Sequence, residues 1–347
     1  MNTKTILLIV AIIGIVVTPI LILLATTNSS NSNQTSQTNI SPSPTPTEQE
    51  LPPIPIHQEL PRVPPGAYAF GHIWYWNGSR WNHQSPVEIE PVTDIWGTEN
   101  TLFAVGWEEI WQFHHGAWVK ENYQGPRLSG VWGSSARDVY AVGGKAIFHN
   151  SGNGQWLRQS SPVSAGLSDI WGRSADDIFV VGSAGTILHS QGGGEWQTQV
   201  SNVSVNLESI WGDQENVYVV GENGTILRST QNGVWVKEEV ETEEDFASVW
   251  GTGTGEVYAV TRYGSIFHSN GNGQWQLQQR VGGQLSNIWG LSPNQIYVGD
   301  IRGFLYRSHG DGEWNKISGN GNFAINAMFA RSPRDIWVVG SEFYMLE

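Results

Sequence analysis

The sequence contains no cysteine in 347 residues. That excludes disulfides, thiol catalysis, cysteine-ligated zinc and a lipid-modified N-terminal cysteine. Positive charge is also scarce, with 18 Lys and Arg against 32 Asp and Glu for a formal charge of −14. A basic footprint for nonspecific nucleic-acid binding is therefore missing, whereas cations and basic partners would be attracted. No G-x-S-x-G, H-E-x-x-H or P-loop stretch occurs, so no catalytic residue, metal site or cofactor is expected. Nor does any stretch of 66–347 sustain a helical period. What the chain has instead is 41 Gly and 18 Trp with only 14% charged residues, a composition that suits a β-rich repeat fold.

One long apolar run is present. Residues 6–25, "ILLIVAIIGIVVTPILILLA", carry no charge, and a helix of that length spans roughly 30 Å, the hydrocarbon core of a bilayer. Thr18 and Pro19 interrupt it tolerably. Lys4 and the amino terminus are the nearby positive charges, which predicts a cytoplasmic N-terminus and an extracytoplasmic remainder. An uncleaved transmembrane signal anchor over 1–27 is favoured. A cleaved signal peptide is the alternative, opposed by the length of the run and by "LLATTNSS", a poor cleavage site. Residues 28–65 are rich in Ser, Thr, Asn and Pro, with nine prolines from Pro42 to Pro65. Such a segment cannot bury enough apolar surface to offset its ordering entropy, so it reads as a disordered linker. Asn28, Asn33, Asn39, Asn77, Asn202 and Asn223 stand in N-x-[ST] sequons, a pattern that depends on the host for meaning.

Residues 66–347 are repetitive. An "[IV]WG" tryptophan recurs at Trp96, Trp132, Trp171, Trp211, Trp250 and Trp289, with spacings of 36, 39, 40, 39 and 39. A degenerate seventh copy places Phe329 where the next Trp is expected. A second Trp follows a turn at Trp81, Trp118, Trp156, Trp196, Trp235, Trp275 and Trp314. One unit, residues 167–199, reads as four short strands: a "LSDIWG", b "DIFVVG", c "TILHS" and d "EWQTQ", separated by turn-forming residues. Four antiparallel strands in a period near 40 describe a β-propeller blade. Stacked blades bury faces that one blade cannot, so the recurrent Trp, including Trp171 and Trp196, read as packing between blades. Gly143, Gly182 and Gly221 are expected to serve a b–c turn with positive φ.

The expected fold is thus all-β: a single propeller over 66–347, preceded by the anchor and the linker. Seven a-type and d-type runs but eight b-type and c-type runs can be counted. Seven four-stranded blades is the simplest closure, with the strand around Trp81 completing the last blade. Eight blades with two incomplete sheets is the alternative.

The hairpins "HSNGNGQWQ" (268–276), "HSQGGGEWQ" (189–197) and "RSHGDGEWN" (307–315) make the repeat resemble bacterial secreted β-propellers and the wider BNR/Asp-box group, which includes photosystem II assembly-factor-like propellers and sialidases. The Asp-boxes are degenerate: the Ser–Trp spacing is one residue short, and the motif's Asp and Thr are missing. The resemblance implies an extracytoplasmic binding or assembly propeller. It does not carry over sialidase activity, because no catalytic arginine motif is found.

Loops d–a and b–c of an up-and-down blade share one rim. Most b–c turns hold small residues, but "GWEEI", "TRYG" and "DIRG" place Trp107, Glu108, Glu109, Tyr263 and Arg302 there. The run "KEEVETEED" adds Glu241, Glu243, Glu244 and Asp245 to the same rim. These are the candidate binding residues, for an unknown protein or a glycan. His149, His189 and His268 end c strands of separate blades, so their side chains should diverge rather than converge on a metal. Asp94, Asp169 and Glu208 enter a strands near the channel at what reads as one repeat position. A structural role is favoured over a carboxylate pair, which keeps a glycoside hydrolase as the third reading. The leading expectation is a monomeric, membrane-tethered protein-binding or assembly scaffold at the cell membrane, without enzymatic activity or nucleic-acid binding.

Overall fold

Short β-branched and aromatic runs cut by glycine turns leave the chain little choice but antiparallel hairpins. In the computed structural model, residues 69–86, 89–230, 233–318 and 323–343 are described. The apolar run 6–25 and the linker lie outside them. Among the described residues no helix is long and apolar enough to cross a membrane.

The strands form seven sheets. Blade 1 spans 92–120, blade 2 130–159, blade 3 167–199, blade 4 207–237, blade 5 246–280 and blade 6 285–318. Blade 7 takes strands a and b from the C-terminal end (Ala324–Ser332, Asp335–Phe343) and c and d from the N-terminal end (Ala69–Trp76, Trp81–His83). The closing seam is a continuous antiparallel register from Ala69↔Phe343 to Trp76↔Ile336. This resolves the surplus in the sequence count. By sequence the N-terminal end supplies b-, c- and d-type runs and the C-terminal end a-, b- and c-type runs; Ala69–Trp76 is a single c strand and Asp335–Phe343 a single b strand. Pairing the chain's two ends removes sheet edges that separate blades would expose. Blade 5 has a fifth strand, Glu239–Val240, lying parallel to its d strand.

The recurrent aromatics form one lattice. Within a blade the a-strand Trp stacks on the b-strand aromatic, as in Trp171–Phe179 (centroids 6.4 Å) and Trp211–Tyr218 (6.3 Å). The same b-strand ring then meets the c-strand His: Tyr140–His149 at 4.2 Å and Phe179–His189 at 4.3 Å. From the next blade a d-strand Trp arrives edge-on, Trp196 against Tyr140 and Trp275 against Tyr218, both at 6.2 Å. The a-strand indole also points forward. A Cβ on Gly212 would lie 2.7 Å from the Trp171 ring, so the "G" of one IWG makes room for the "W" of the blade before it. In blade 7, Phe329 and Ala330 replace this pair.

Gly143, Gly182 and Gly221 are not among the positive-φ residues, contrary to expectation. A Cβ on Gly182 would instead collide with the Gly166 carbonyl oxygen, where the a and b strands of one blade come together. These glycines permit close backbone approach; the left-handed turn residues lie further on, at Gly144, Gly185 and Gly224.

Candidate functional site

Side chains of the channel strands latch neighbouring blades together. At the second a-strand position, Thr93 Oγ1 donates to Leu128 O at the entry to blade 2 (2.8 Å), and Asn326 Nδ2 donates to Val92 O across the closure (2.7 Å). At the third position the direction reverses. Asp94 accepts from Val131 N (2.8 Å) and Asp169 from Ile210 N (3.0 Å). Ser209 and Ser248 accept in the same way from Val249 N and Ile288 N. Each aspartate also takes the N–H of its own neighbour, Ile95 or Ile170. The strand-entry role expected for Asp94 and Asp169 is therefore an inter-blade hydrogen bond. Glu208 stands one position earlier, not at theirs, and pairs with Arg262 of blade 5 (2.8 Å).

Burial in the ring pushes the Asp94 carboxyl up to about 8, with the charge of Asp169 adding to the rise and the N–H donors of Val131 and Ile95 opposing it. Burial likewise raises Asp169, to about 6, against its own donors. The direction of both rises follows from withdrawal of the charge from bulk solvent.

The three histidines diverge onto separate blades, as expected. Each faces a carboxylate at the start of its b strand: His149–Asp138 and His189–Asp177 at 2.7 Å, and His268–Glu256. No group of three or more His, Asp or Glu among the described residues could hold a metal ion.

The opposite rim, carrying the d–a and b–c loops, is irregular. One cleft on it, about 570 Å3, is lined by Glu90, Trp107, Glu108, Glu109, Lys120 and Arg127. Glu90 comes from the connection out of blade 7. Trp107–Glu109 form the b–c turn of blade 1, Lys120 ends its d strand, and Arg127 lies in the connection to blade 2. The turn is tied down by its backbone: Gly106 N donates to Glu109 O (3.1 Å), and Trp107 N to Pro91 O (3.2 Å). Glu108 is left-handed, at φ 56°.

Glu109 is the hub. It pairs with Lys120 and accepts from Trp111 Nε1 (2.9 Å) and Glu90 N (3.2 Å). The Arg127 guanidinium lies 5.1 Å from the centre of the Trp107 ring, and burial lowers its proton affinity. Burial raises the Glu90 carboxyl above its usual range, helped by the charges of Glu109 and Glu108 and opposed by Lys120.

Of the residues picked from sequence, the fold brings Trp107, Glu108 and Glu109 into this cleft. The acidic run lies elsewhere on the rim. A second hollow of about 640 Å3 there is lined by Asn223, Gly224, Lys237, Glu238, Glu239, Val240, Thr242 and Glu243. The run is less free than a solvated loop. Glu238 accepts from Arg228 (2.5 Å) and Trp275 (2.6 Å). Glu244 accepts from Thr261 (2.7 Å) and Arg280 (2.5 Å); burial would raise it, but these bonds prevail and hold it below its usual range. Asp245 accepts from Asn223 N (3.0 Å). Glu241 and Glu243 remain exposed. Tyr263, 60% exposed, and Arg302 line neither hollow. Arg302 is held inside its own turn by Asp300 (3.0 Å) and over Phe304 (5.0 Å).

Glu90, Lys120 and Arg127 were not singled out by sequence. Glu90 and Arg127 lie in connections that vary from blade to blade, so repeat position gives no cue, although Arg127 is a lone cation in "YQGPRLS"; Lys120 ends a d strand in "WVKE", which recurs at 235–238 away from this cleft.

No protein-family model matches the chain, and no curated protein matches it. Solved structures of the same architecture include YCF48 bound to a D1 peptide, at 15% identity and TM-score 0.61, covering 74% of this chain and 92% of that one. YCF48 from Cyanidioschyzon merolae is similar at 15% identity and TM-score 0.62, covering 75% and 97%. A catalytically inactive virginiamycin B lyase from Staphylococcus aureus with quinupristin aligns at 13% identity and TM-score 0.59, covering 78% and 99%. Identities this low speak for fold alone: the chain folds as a seven-bladed β-propeller.

Proposed function

We propose that the chain is a membrane-tethered, extracytoplasmic propeller that binds a protein segment at the blade 1 cleft. The carrying observation is Trp107. It leaves 36% of its surface exposed in a b–c turn whose counterparts mostly hold small residues, and a cleft opens beside it. The lattice explains the repeat tryptophans by packing, but nothing in a blade requires an indole there. Trp and Arg are the residues in which binding energy concentrates at interfaces. A propeller of this architecture, YCF48, has been solved with a peptide bound, which supports the reading by analogy. The apolar run 6–25 and the linker support a tether with the propeller outside. Asp94 and Asp169 each spend both carboxyl oxygens on backbone N–H donors, which supports binding over carboxylate catalysis, and the degenerate Asp-boxes fit a binding member of that group.

The test uses the full-length chain in its native membrane with a photo-crosslinking residue at exposed Gln124, which lies between Lys120 and Arg127 in the chain. A protein adduct that disappears in Trp107→Ala/Arg127→Ala is expected. Undiminished adducts in that variant reject this rim. Adducts abolished by glycosidase treatment would favour a glycan, a reading that the indole beside carboxylates also suits. Protease accessibility of the propeller in intact cells tests the orientation.

A further inference from the structure

We propose that the group this cleft takes from its partner is a lysine or arginine side chain of an extended segment. The proposal rests on the protein-binding reading above and specifies its chemistry. Three carboxylates and two cations line the cleft, and the cations are already engaged. Lys120 is paired with Glu109 and lies 5.8 Å from the Trp111 ring; Arg127 covers one side of Trp107. Glu90 and Glu108 are exposed, and no side-chain hydrogen bond or ion pair of theirs occurs among the described residues. Three carboxylates gather there against two cations, and burial together with the charges of Glu109 and Glu108, against Lys120, raises the Glu90 carboxyl. An arriving cation relieves that repulsion. Its aliphatic stem can lie on the exposed indole while its head sits between the two carboxylates. The charge of −14 on the whole chain favours the same encounter at long range.

The second hollow provides an internal control, since it exposes Glu239 and Glu243 on the same rim. Fluorescence anisotropy of a labelled Ala-Lys-Ala-Lys-Ala peptide would be measured with the full chain in detergent micelles, alongside its Gln and Glu counterparts. We expect the Lys peptide to bind in a salt-sensitive way and to weaken roughly tenfold in Glu90→Gln/Glu108→Gln. Glu239→Gln/Glu243→Gln removes two charges as well and should leave binding unchanged. Equal loss in both double variants would reduce the effect to general attraction and overturn the proposal. Equal binding of the Lys and Gln peptides would overturn it too. A several-fold gain in affinity on Arg62→Gln would assign the cleft to the chain's own "PRVPP" segment instead of a partner. If the Gln124 crosslink is lost in Trp107→Ala/Arg127→Ala while peptide binding ignores charge, this inference fails and the protein-binding reading stands. A crosslink indifferent to that variant removes the reading itself. Both Glu→Gln pairs are isosteric surface changes, and an unchanged thermal midpoint confirms that each variant is folded.

Discussion

Blade 4 and the rim of blade 1 treat the same residue type in opposite ways. In blade 4, Trp211 stacks on Tyr218 and presses on Gly251 of the next blade, and Tyr218 receives Trp275 edge-on. Every indole there has aromatic or backbone neighbours on several sides, supplied by a neighbour built from the same repeat. On the rim of blade 1, Trp107 has Arg127 on one side and an open cleft beside it. Recurrence in the sequence therefore marks tryptophans that the architecture uses; Trp107 departs from it and, unlike the equally non-recurrent but buried Trp74, Trp76 and Trp337, lies open.

The largest expected effect lies in the lattice. Trp275 is 5% exposed and bonds Glu238 through Nε1. Trp275→Ala should cost about 3–5 kcal/mol by cavity formation alone, read as a large drop in the denaturant midpoint. A cost below about 1 kcal/mol would mean that the lattice does not hold neighbouring blades together. Next comes the pairing of each Trp with the following Gly. Gly251→Ala places a methyl against the Trp211 ring, for an overpacking cost of about 1–3 kcal/mol. Trp211→Phe in the same molecule should recover part of it, because the shorter ring withdraws the atoms that the methyl meets. Independent, additive costs would break the proposed pairing.

A pH effect ranks third and concerns the channel. The Asp94 carboxyl is raised in the fold from 3.8 to about 8, so the folded state holds its proton more tightly than the unfolded state does. Its contribution is fully present below the unfolded value and is lost as pH rises toward about 8. Asp94→Asn should flatten the decline in stability between those limits, as followed by chemical denaturation across the pH range. Glu244 has the opposite sign: being depressed, it stabilises above 4.5 and loses that contribution in acid. The smallest expected change is Trp107→Ala, within about 0.5 kcal/mol of wild type in thermal unfolding. A cost of lattice size would put Trp107 back among the packing residues and undo the comparison.

Much of this architecture was legible beforehand. The b strand of blade 3, Asp177–Gly182, coincides with the sequence reading, because alternation within tight turns is a local signal. The closure was not legible. Runs around Ala69 and Ser341 look like two strands each until their partner is known, and only pairing across the chain's ends makes each one strand. Gly182 was misassigned for a related reason: a positive-φ glycine and one facing a carbonyl from another strand are the same letter. The candidate site was half legible. Trp107 broke a local rule and could be seen, whereas Glu90 and Arg127 join it from two other connections.

The sequence by itself determined the repeat, the strand grammar of each blade and the identity of the rings wedged between blades, since these follow from local periodicity and residue volume. Tertiary structure alone decided how the ring closes, why glycine must follow tryptophan, and which charges gather around Trp107. Those depend on distances between residues far apart in the chain, which no local pattern encodes.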